Sequence, residues 1–160
     1  MSAEFDKILP VLVRGKVEFI LIGGVAGIVH GSARLTYDVD VVYSRTGSNI
    51  KQLAAALQPF APYLRGAPPG LPFSWDERTI RNGLNFTLTT TLGDVDLLGE
   101  VLGGGGYSEL LPHSSLIEAF GVRFRCVSLE KLIALKQAAG RPKDLEAIAE
   151  LEILLKETRG

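Results

Sequence analysis

The run Ile22-Gly23-Gly24, then 13 intervening residues, then Asp38-Val39-Asp40, constrains this chain more than any other segment. Val17 to Ile22 is apolar and reads as a buried strand halted by two glycines. Val25 to His30 is compatible with a helix, and Asp38 and Asp40 open a second apolar strand that runs to Tyr43. Side chains alternate along a strand, so carboxylates at i and i+2 share a face with their Cα atoms roughly 7 Å apart. A glycine turn that feeds a helix N-terminus beside paired carboxylates is a place to hold phosphates and the divalent metal that accompanies them.

The rest of the composition sets the frame for that pattern. At 160 residues one domain with a proper core is expected, and 46% apolar with 22% charged residues is ordinary for a folded protein. The net charge of −1 argues against a strongly electrostatic nucleic-acid binder but leaves room for a local basic face. Cys126 stands alone, which excludes an intrachain disulfide and fits a reducing compartment. The opening residues show no basic-then-apolar signal, and no apolar run approaches the length of a membrane span, so a cytoplasmic protein without a membrane partner is expected.

Periodicity supplies the remaining elements. A helix over Ala3 to Val13 is expected to break near Pro10, which lacks a helical donor. Ile50, Leu53, Ala54 and Leu57 form one stripe of a helix over 49–57. Residues 58–80 carry five prolines and read as a long irregular excursion, a lid or a partner surface. Strands follow at Asn85 to Thr91 and Val95 to Val101, then a hairpin of Ser115 to Phe120 and Val122 to Val127 around Gly121. Two helices close the chain, Leu129 to Ala139 with Ser128 as N-cap and Gly140 at its end, and Pro142 to Lys156. This order implies an α/β (α+β) architecture, a mixed β-sheet flanked by helices.

Ile22, Gly23, Gly24, Asp38, Val39, Asp40 and Val41 fill every slot of a known signature: an apolar residue, Gly-Gly or Gly-Ser, about a dozen residues, then Asp-apolar-Asp/Glu-apolar. In this the chain resembles the nucleotidyltransferase superfamily typified by DNA polymerase β. Gly23-Gly24-Val25-Ala26 with His30-Gly31, Arg34, Thr36, Asp38 and Asp40 is similar to the small bacterial nucleotidyltransferases of the AbiEii toxin type. The specific likeness covers residues 17–43, with weaker echoes at Gly93 to Leu98 and Ser128 to Leu151. It implies a polymerase β-like fold with two C-terminal helices. It also implies an enzyme that uses Mg²⁺ or Mn²⁺ to move an NMP from an NTP such as ATP.

In the resembled family two aspartates touch both metals and a third, on a neighbouring strand, completes the site and helps activate the attacking hydroxyl. Asp38 and Asp40 map onto the first two. Asp94 and Asp96 share a face in the next Asp-Val-Asp run, and we choose Asp96 for the third because apolar residues flank it, whereas Asp94 follows a glycine and suits a turn; both lining the site stays open. Gly24 departs from the Gly-Ser version by lacking the hydroxyl that would bind a triphosphate oxygen. The grip on phosphate then rests on Gly23 and Gly24 backbone N–H groups, on Ser32 or Arg34, with Thr36 beside the aspartates. Arg34 meets the triphosphate bidentately or pairs with the carboxylate cluster. Lys136, Arg141 and Lys143 match a Lys…Gly-Arg-x-Lys-Asp turn that lies near the nucleotide phosphates in relatives; the plain alternative is a solvated helix junction.

Other candidates read as scaffold. His30 has no second histidine near it, and Cys126 falls on the face of Phe124 and Val122, which is core. Gly103 to Gly106 lacks the Lys-Ser/Thr of a P-loop. Val25 occupies the second glycine slot of a dinucleotide fingerprint. The expected acceptor is a hydroxyl of RNA, such as a tRNA 3′ end, or of a protein. From the resemblance alone comes a place in a toxin–antitoxin system, with a cognate antitoxin or toxin as partner. The competing expectation is a module of the same fold that binds a nucleotide or a partner without turnover.

Overall fold

The computed structural model describes residues 4–159. The chain runs α1 (Phe5–Arg14), β1 (Phe19–Ile22), α2 (Gly23–Val29), β2 (Asp38–Tyr43), α3 (Gly47–Leu57), β3 (Tyr63–Leu64), α4 (Glu77–Asn82), β4 (Phe86–Thr90), β5 (Gly93–Leu98), α5 (Tyr107–Leu110), β6 (Ser114–Ala119), β7 (Val122–Val127), α6 (Leu129–Ala139) and α7 (Pro142–Arg159). The seven strands form one mixed sheet in the order β3-β4-β5-β2-β1-β7-β6.

β1 sits near the middle because all four of its residues, Phe19 to Ile22, are buried, the pattern of a strand covered on both faces. It pairs antiparallel with β2, which brings Ile22 opposite Asp40, and parallel with β7. β2 pairs parallel with β5 in the register Asp38↔Asp94 and Asp40↔Asp96. Along β2 and β5 the aspartates alternate with Val39, Val41, Val95 and Leu97, all of them sealed in the core. One face of these two strands is therefore apolar and the other acidic. Each buried valine or leucine contributes about 1.5–3 kcal/mol by leaving water, and that contribution fixes which face the aspartates take.

Asn49 ties this sheet to α3. It is 2% exposed, accepts from the Glu18 N–H at 2.6 Å, and donates to Glu18 O at 3.0 Å and Ser44 O at 2.7 Å. One side chain thereby satisfies backbone groups just before β1 and just after β2. The β6–β7 hairpin turns through Phe120 and Gly121, with φ of 55° and 76°, the paired left-handed residues that a two-residue hairpin requires.

Sequence and structure differ in a few places. α1 passes through Pro10 without a break, because burial of Ile8, Leu9 and Leu12 holds the helix despite the missing donor. The expected start of that helix at Ala3 lies outside the described residues. The 58–80 excursion contains β3, the short α4 and a 3-10 turn, and its Trp75 and Ile80 enter the core. Five prolines masked that order.

Replacing Asn49 with alanine leaves the Glu18 N–H and the Ser44 carbonyl without this partner, while Glu18 O keeps the Ser44 N–H, and the expected loss is about 2–3 kcal/mol of unfolding free energy. Urea denaturation of the variant checks this; a loss below about 1 kcal/mol would mean that water or a backbone shift takes over the bonds.

Candidate active site

The C-terminal end of β1 meets the N-terminal ends of β2 and β5, and the acidic face opens there. One carboxylate oxygen from each of Asp38, Asp40 and Asp96 lies within 4.8 Å of the other two. No other group of three potential metal ligands occurs among the described residues. Burial raises the pKa of Asp38, and Asp96 beside it raises it further, against Arg65 and Lys143. Asp40 is pushed well above the usual range by burial, then by contact with Asp96 and by the charge of Asp38, against Lys136. Three carboxyls so placed resist carrying full negative charge together, and an added cation relieves them. Asp96 Oδ1 is also buried without a hydrogen bond. A set of oxygen donors of this kind fits a hard divalent cation such as Mg²⁺ or Mn²⁺.

Gly23 leads from β1 into α2 with φ +72°, and a Cβ there would collide with the Asp40 carboxylate. A Cβ on Gly24 would stand 2.6 Å from Thr36 Oγ1. The glycine pair thus lets two β2-side groups close onto the turn. α2 has only seven residues, so it carries little of the macrodipole that a longer helix would aim at a phosphate.

Two adjoining cavities of about 300 and 240 Å³ open over the carboxylates. Both are bordered by Gly23, Asp38, Asp40 and the α6–α7 junction; Gly24, Arg34 and Thr36 line the larger, and Asp96 the smaller. The junction brings Lys136, Arg141 and Lys143 to the same space. Asp144, 2% exposed, organises it: Arg141 Nε and Nη2 donate to its two oxygens at 2.6 and 3.1 Å, and Lys136 Nζ is 4.0 Å away. Burial alone would raise the pKa of Asp144, but the hydrogen bonds and charge of Arg141 outweigh it and hold the group below the usual range. Burial lowers the pKa of Lys136, opposed by Asp144 and Asp40. Lys143 makes no salt bridge among the described residues.

Arg34 lines the larger cavity, but among the described residues it makes no ion pair with the carboxylate cluster. Its Nη2 pairs with Glu146 of α7 at 3.3 Å, at the exposed rim of the larger cavity. Ser32 donates to Glu150 at 2.6 Å, which pins the 32–37 segment against α7. Thr36 donates to Asp38 O at 3.2 Å. His30 Nε2 lies 2.8 Å from Val127 O at the end of α2, and burial pushes the Cys126 thiol up to about 12, so neither offers a ligand or a nucleophile to the site. The 103–106 glycines form a turn joined to Val101, which borders the smaller cavity, while the glycines themselves line neither cavity.

Arg65 is the residue that periodicity and motif reading miss. It follows β3 and reaches across β4, with Nη2 at 2.9 Å from Asp96 Oδ1, Nε at 3.3 Å from Asp94 and Nη1 at 3.9 Å from Asp38. The Asp96 contact has the length of a hydrogen bond without its alignment, so it is an ion pair and Oδ1 keeps an unused lone pair. The only hint in the sequence is that Arg65 and Arg78 are the sole cations of the 58–80 stretch.

The raised pKa of Asp40 fixes a sign. A carboxyl whose folded value exceeds its unfolded value of 3.8 stabilises the fold below that pH and loses the contribution as pH rises through the folded value. Asp40→Asn is therefore expected to melt higher than the metal-free wild-type protein at neutral pH, by about 2–5 °C, with the gap shrinking toward pH ~4. Melting curves of both proteins in chelator across that range check it; equal curves would contradict the crowding of these charges.

No protein-family model matches the sequence, and no curated protein matches it. Solved structures do. A Thermotoga maritima protein, TM1012, provisionally assigned as a nucleotidyltransferase, superposes with a TM-score of 0.54 at 18% identity, over 94% of this chain and 89% of that one. The lincosamide antibiotic adenylyltransferase LnuA, bound to lincomycin, gives 0.64 at 15% identity, over 96% of this chain and 98% of that one. With a mixed seven-strand sheet flanked by helices, this chain has the polymerase β-type nucleotidyltransferase fold.

Proposed function

We propose that the chain is a divalent-metal-dependent nucleotidyltransferase that passes the NMP part of an NTP, such as ATP, to a hydroxyl group. One observation carries this reading: Asp38, Asp40 and Asp96 converge within 4.8 Å on cavities that stay open, since Arg65 approaches from the β4 side and lines neither of them.

Asp38, Asp40 and Asp96 would hold Mg²⁺ or Mn²⁺, which supplies neutralisation of charge on the phosphate oxygens and the leaving group. The acceptor oxygen attacks the α-phosphorus, the bond from that phosphorus to the oxygen bridging toward the β-phosphate breaks, and pyrophosphate departs. Asp96, on the sheet side of the cavity, takes the hydroxyl proton in this scheme. The triphosphate lies along the α6–α7 junction, where Lys143 has no competing salt bridge among the described residues and Asp144 holds Arg141 and Lys136 in place. Phosphate oxygens also meet the Gly23 and Gly24 backbone and the Thr36 hydroxyl, and Arg34 reaches them by exchanging Glu146 for the ligand.

The acceptor is a hydroxyl of an RNA end, of a protein side chain or of a small molecule. The family resemblance suggests the first two, along with a cytoplasmic toxin–antitoxin setting. The third is suggested by LnuA, whose acceptor is an antibiotic. A second reading, a nucleotide- or partner-binding module without turnover, draws on the Arg65 ion pairs, which already balance part of the acidic cluster.

Incubation of the purified protein with each labelled NTP and Mg²⁺, alongside RNA, protein or small polyhydroxylated acceptors, tests the proposal. Label is expected in one acceptor class. Asp38→Asn and Asp40→Asn should each lower transfer by at least about 10³-fold, some 4 kcal/mol of barrier, while staying folded. Transfer that persists in either variant refutes the metal assignment. NTP binding with no transfer to any acceptor favours the binding module.

A further inference from the structure

Four carboxylates, not three, share the acidic face, and Asp94 does not belong to the converging trio. Its contact is with Arg65 Nε at 3.3 Å. Arg65 is fixed from several sides. Its backbone N–H donates to Thr87 O at 3.0 Å, which extends the β3–β4 pairing, and Nη2 donates to Leu88 O at 2.8 Å. The same Nη2 stands 2.9 Å from Asp96 Oδ1. The guanidinium is thus anchored on β4 by its hydrogen bond to Leu88 O, with Nε facing Asp94 in an ion pair that lacks hydrogen-bond alignment and one edge presented to Asp96. It leaves the cavity side of Asp96 free, because Asp96 still lines the smaller cavity and still lies within 4.8 Å of Asp38 and Asp40.

We propose that Asp94 and Arg65 act as a relay that orients Asp96, the third carboxylate of the trio, for a divalent cation. Arg65 is a positioning residue, and Asp94 holds it. This rests on the reading of Asp38, Asp40 and Asp96 as a metal site. Groups behind a metal ligand commonly set affinity through orientation, and their loss costs about 10–100-fold. The alternative is that Arg65 is merely a counter-ion to a crowded acidic face. The two ideas differ in sign. Arg65→Gln removes a positive charge and Asp94→Asn a negative one, so a pure charge effect shifts cation affinity in opposite directions. Lost orientation weakens both.

Mn²⁺ titration of the full chain without nucleotide, followed by the EPR signal of free Mn²⁺, reads the affinity directly. Arg65→Gln and Asp94→Asn are both expected to bind Mn²⁺ about 10–100-fold more weakly than wild type. Arg65→Lys, which keeps the charge but loses the fork that spans Asp94 and Asp96, should weaken binding by at least about 5-fold. Thermal unfolding of each variant confirms the fold; if Arg65→Gln does not fold, Arg65→Lys decides. Tighter binding by Arg65→Gln with weaker binding by Asp94→Asn, or Arg65→Lys equal to wild type, overturns the relay and leaves the metal site standing. Absence of Mn²⁺ binding by the wild-type chain overturns both.

Discussion

Parallel pairing of β2 with β5 sets Asp38 beside Asp94 and Asp40 beside Asp96 on one face of adjacent strands. Strands in a sheet are about 4.8 Å apart, so four carboxylates are held in a narrow space, where burial and the neighbouring aspartates raise the pKa of Asp38 and Asp40. The fold accepts this because the opposite face of the same strands buries Val39, Val41, Val95 and Leu97 completely or nearly so. A one-residue slip of either strand would expose that apolar set, so the core holds the acidic cluster in register. Much of the remaining architecture around this face supplies positive charge to it: Arg65 from the β3 side, and Lys136, Arg141 and Lys143 from the α6–α7 junction.

Those cations divide into two kinds. Arg65 makes direct ion pairs with three of the aspartates and donates to two backbone carbonyls of β4, Thr87 O and Leu88 O. The α6–α7 cations make no direct ion pair with the four strand aspartates among the described residues. Two of them are organised by Asp144, and the cavities lie between them and Asp38 and Asp40. A substrate bearing its own negative charge has room on the second side and none on the first. That asymmetry gives the proposed site a direction, with phosphates toward α6–α7 and the sheet edge behind Asp96.

The fold was legible in the sequence where periodicity is strong. β1, β2, the β6–β7 hairpin, α6 and α7 lie close to where alternation, caps and glycines put them, because burial and local preference agree there. The candidate trio was legible because i, i+2 spacing alone sets two carboxylates on one face, and a second Asp-x-Asp run supplies the third. The choice between Asp94 and Asp96 turned on flanking apolar residues, and in the structure Asp96 is the one that meets Asp38 and Asp40. Arg65 was not legible. Its role depends on a two-residue strand, β3, inside a proline-rich stretch, and on a side chain that crosses a neighbouring strand; neither leaves a period in the sequence. The pairing of Arg34 with Glu146 was hidden for the same reason, since it joins residues 112 apart.

The glycine pair shows how a short motif can serve a purpose different from the one its spacing first suggests. Read from the sequence, Gly23 and Gly24 prepare a helix N-terminus for an anion. In the structure that helix is short, and both glycines are filled from outside, Gly23 by the Asp40 carboxylate and Gly24 by the Thr36 side chain. Gly23 must also hold φ at +72°, which an L side chain resists. Without Cβ atoms at these two positions, β2 and the residue leading into it can approach the β1–α2 turn closely enough to place Asp40 against it. The Thr36 hydroxyl stands 2.6 Å from where a side chain on Gly24 would begin, and both residues line the larger cavity. A hydroxyl is therefore still present at that corner of the cavity, supplied from the other end of the connection. The 13-residue spacing between the glycines and Asp38 acquires its physical meaning from this closure: the connecting segment must leave the turn, cap α2 at His30, and return with Thr36 and Asp40 packed against its own starting point.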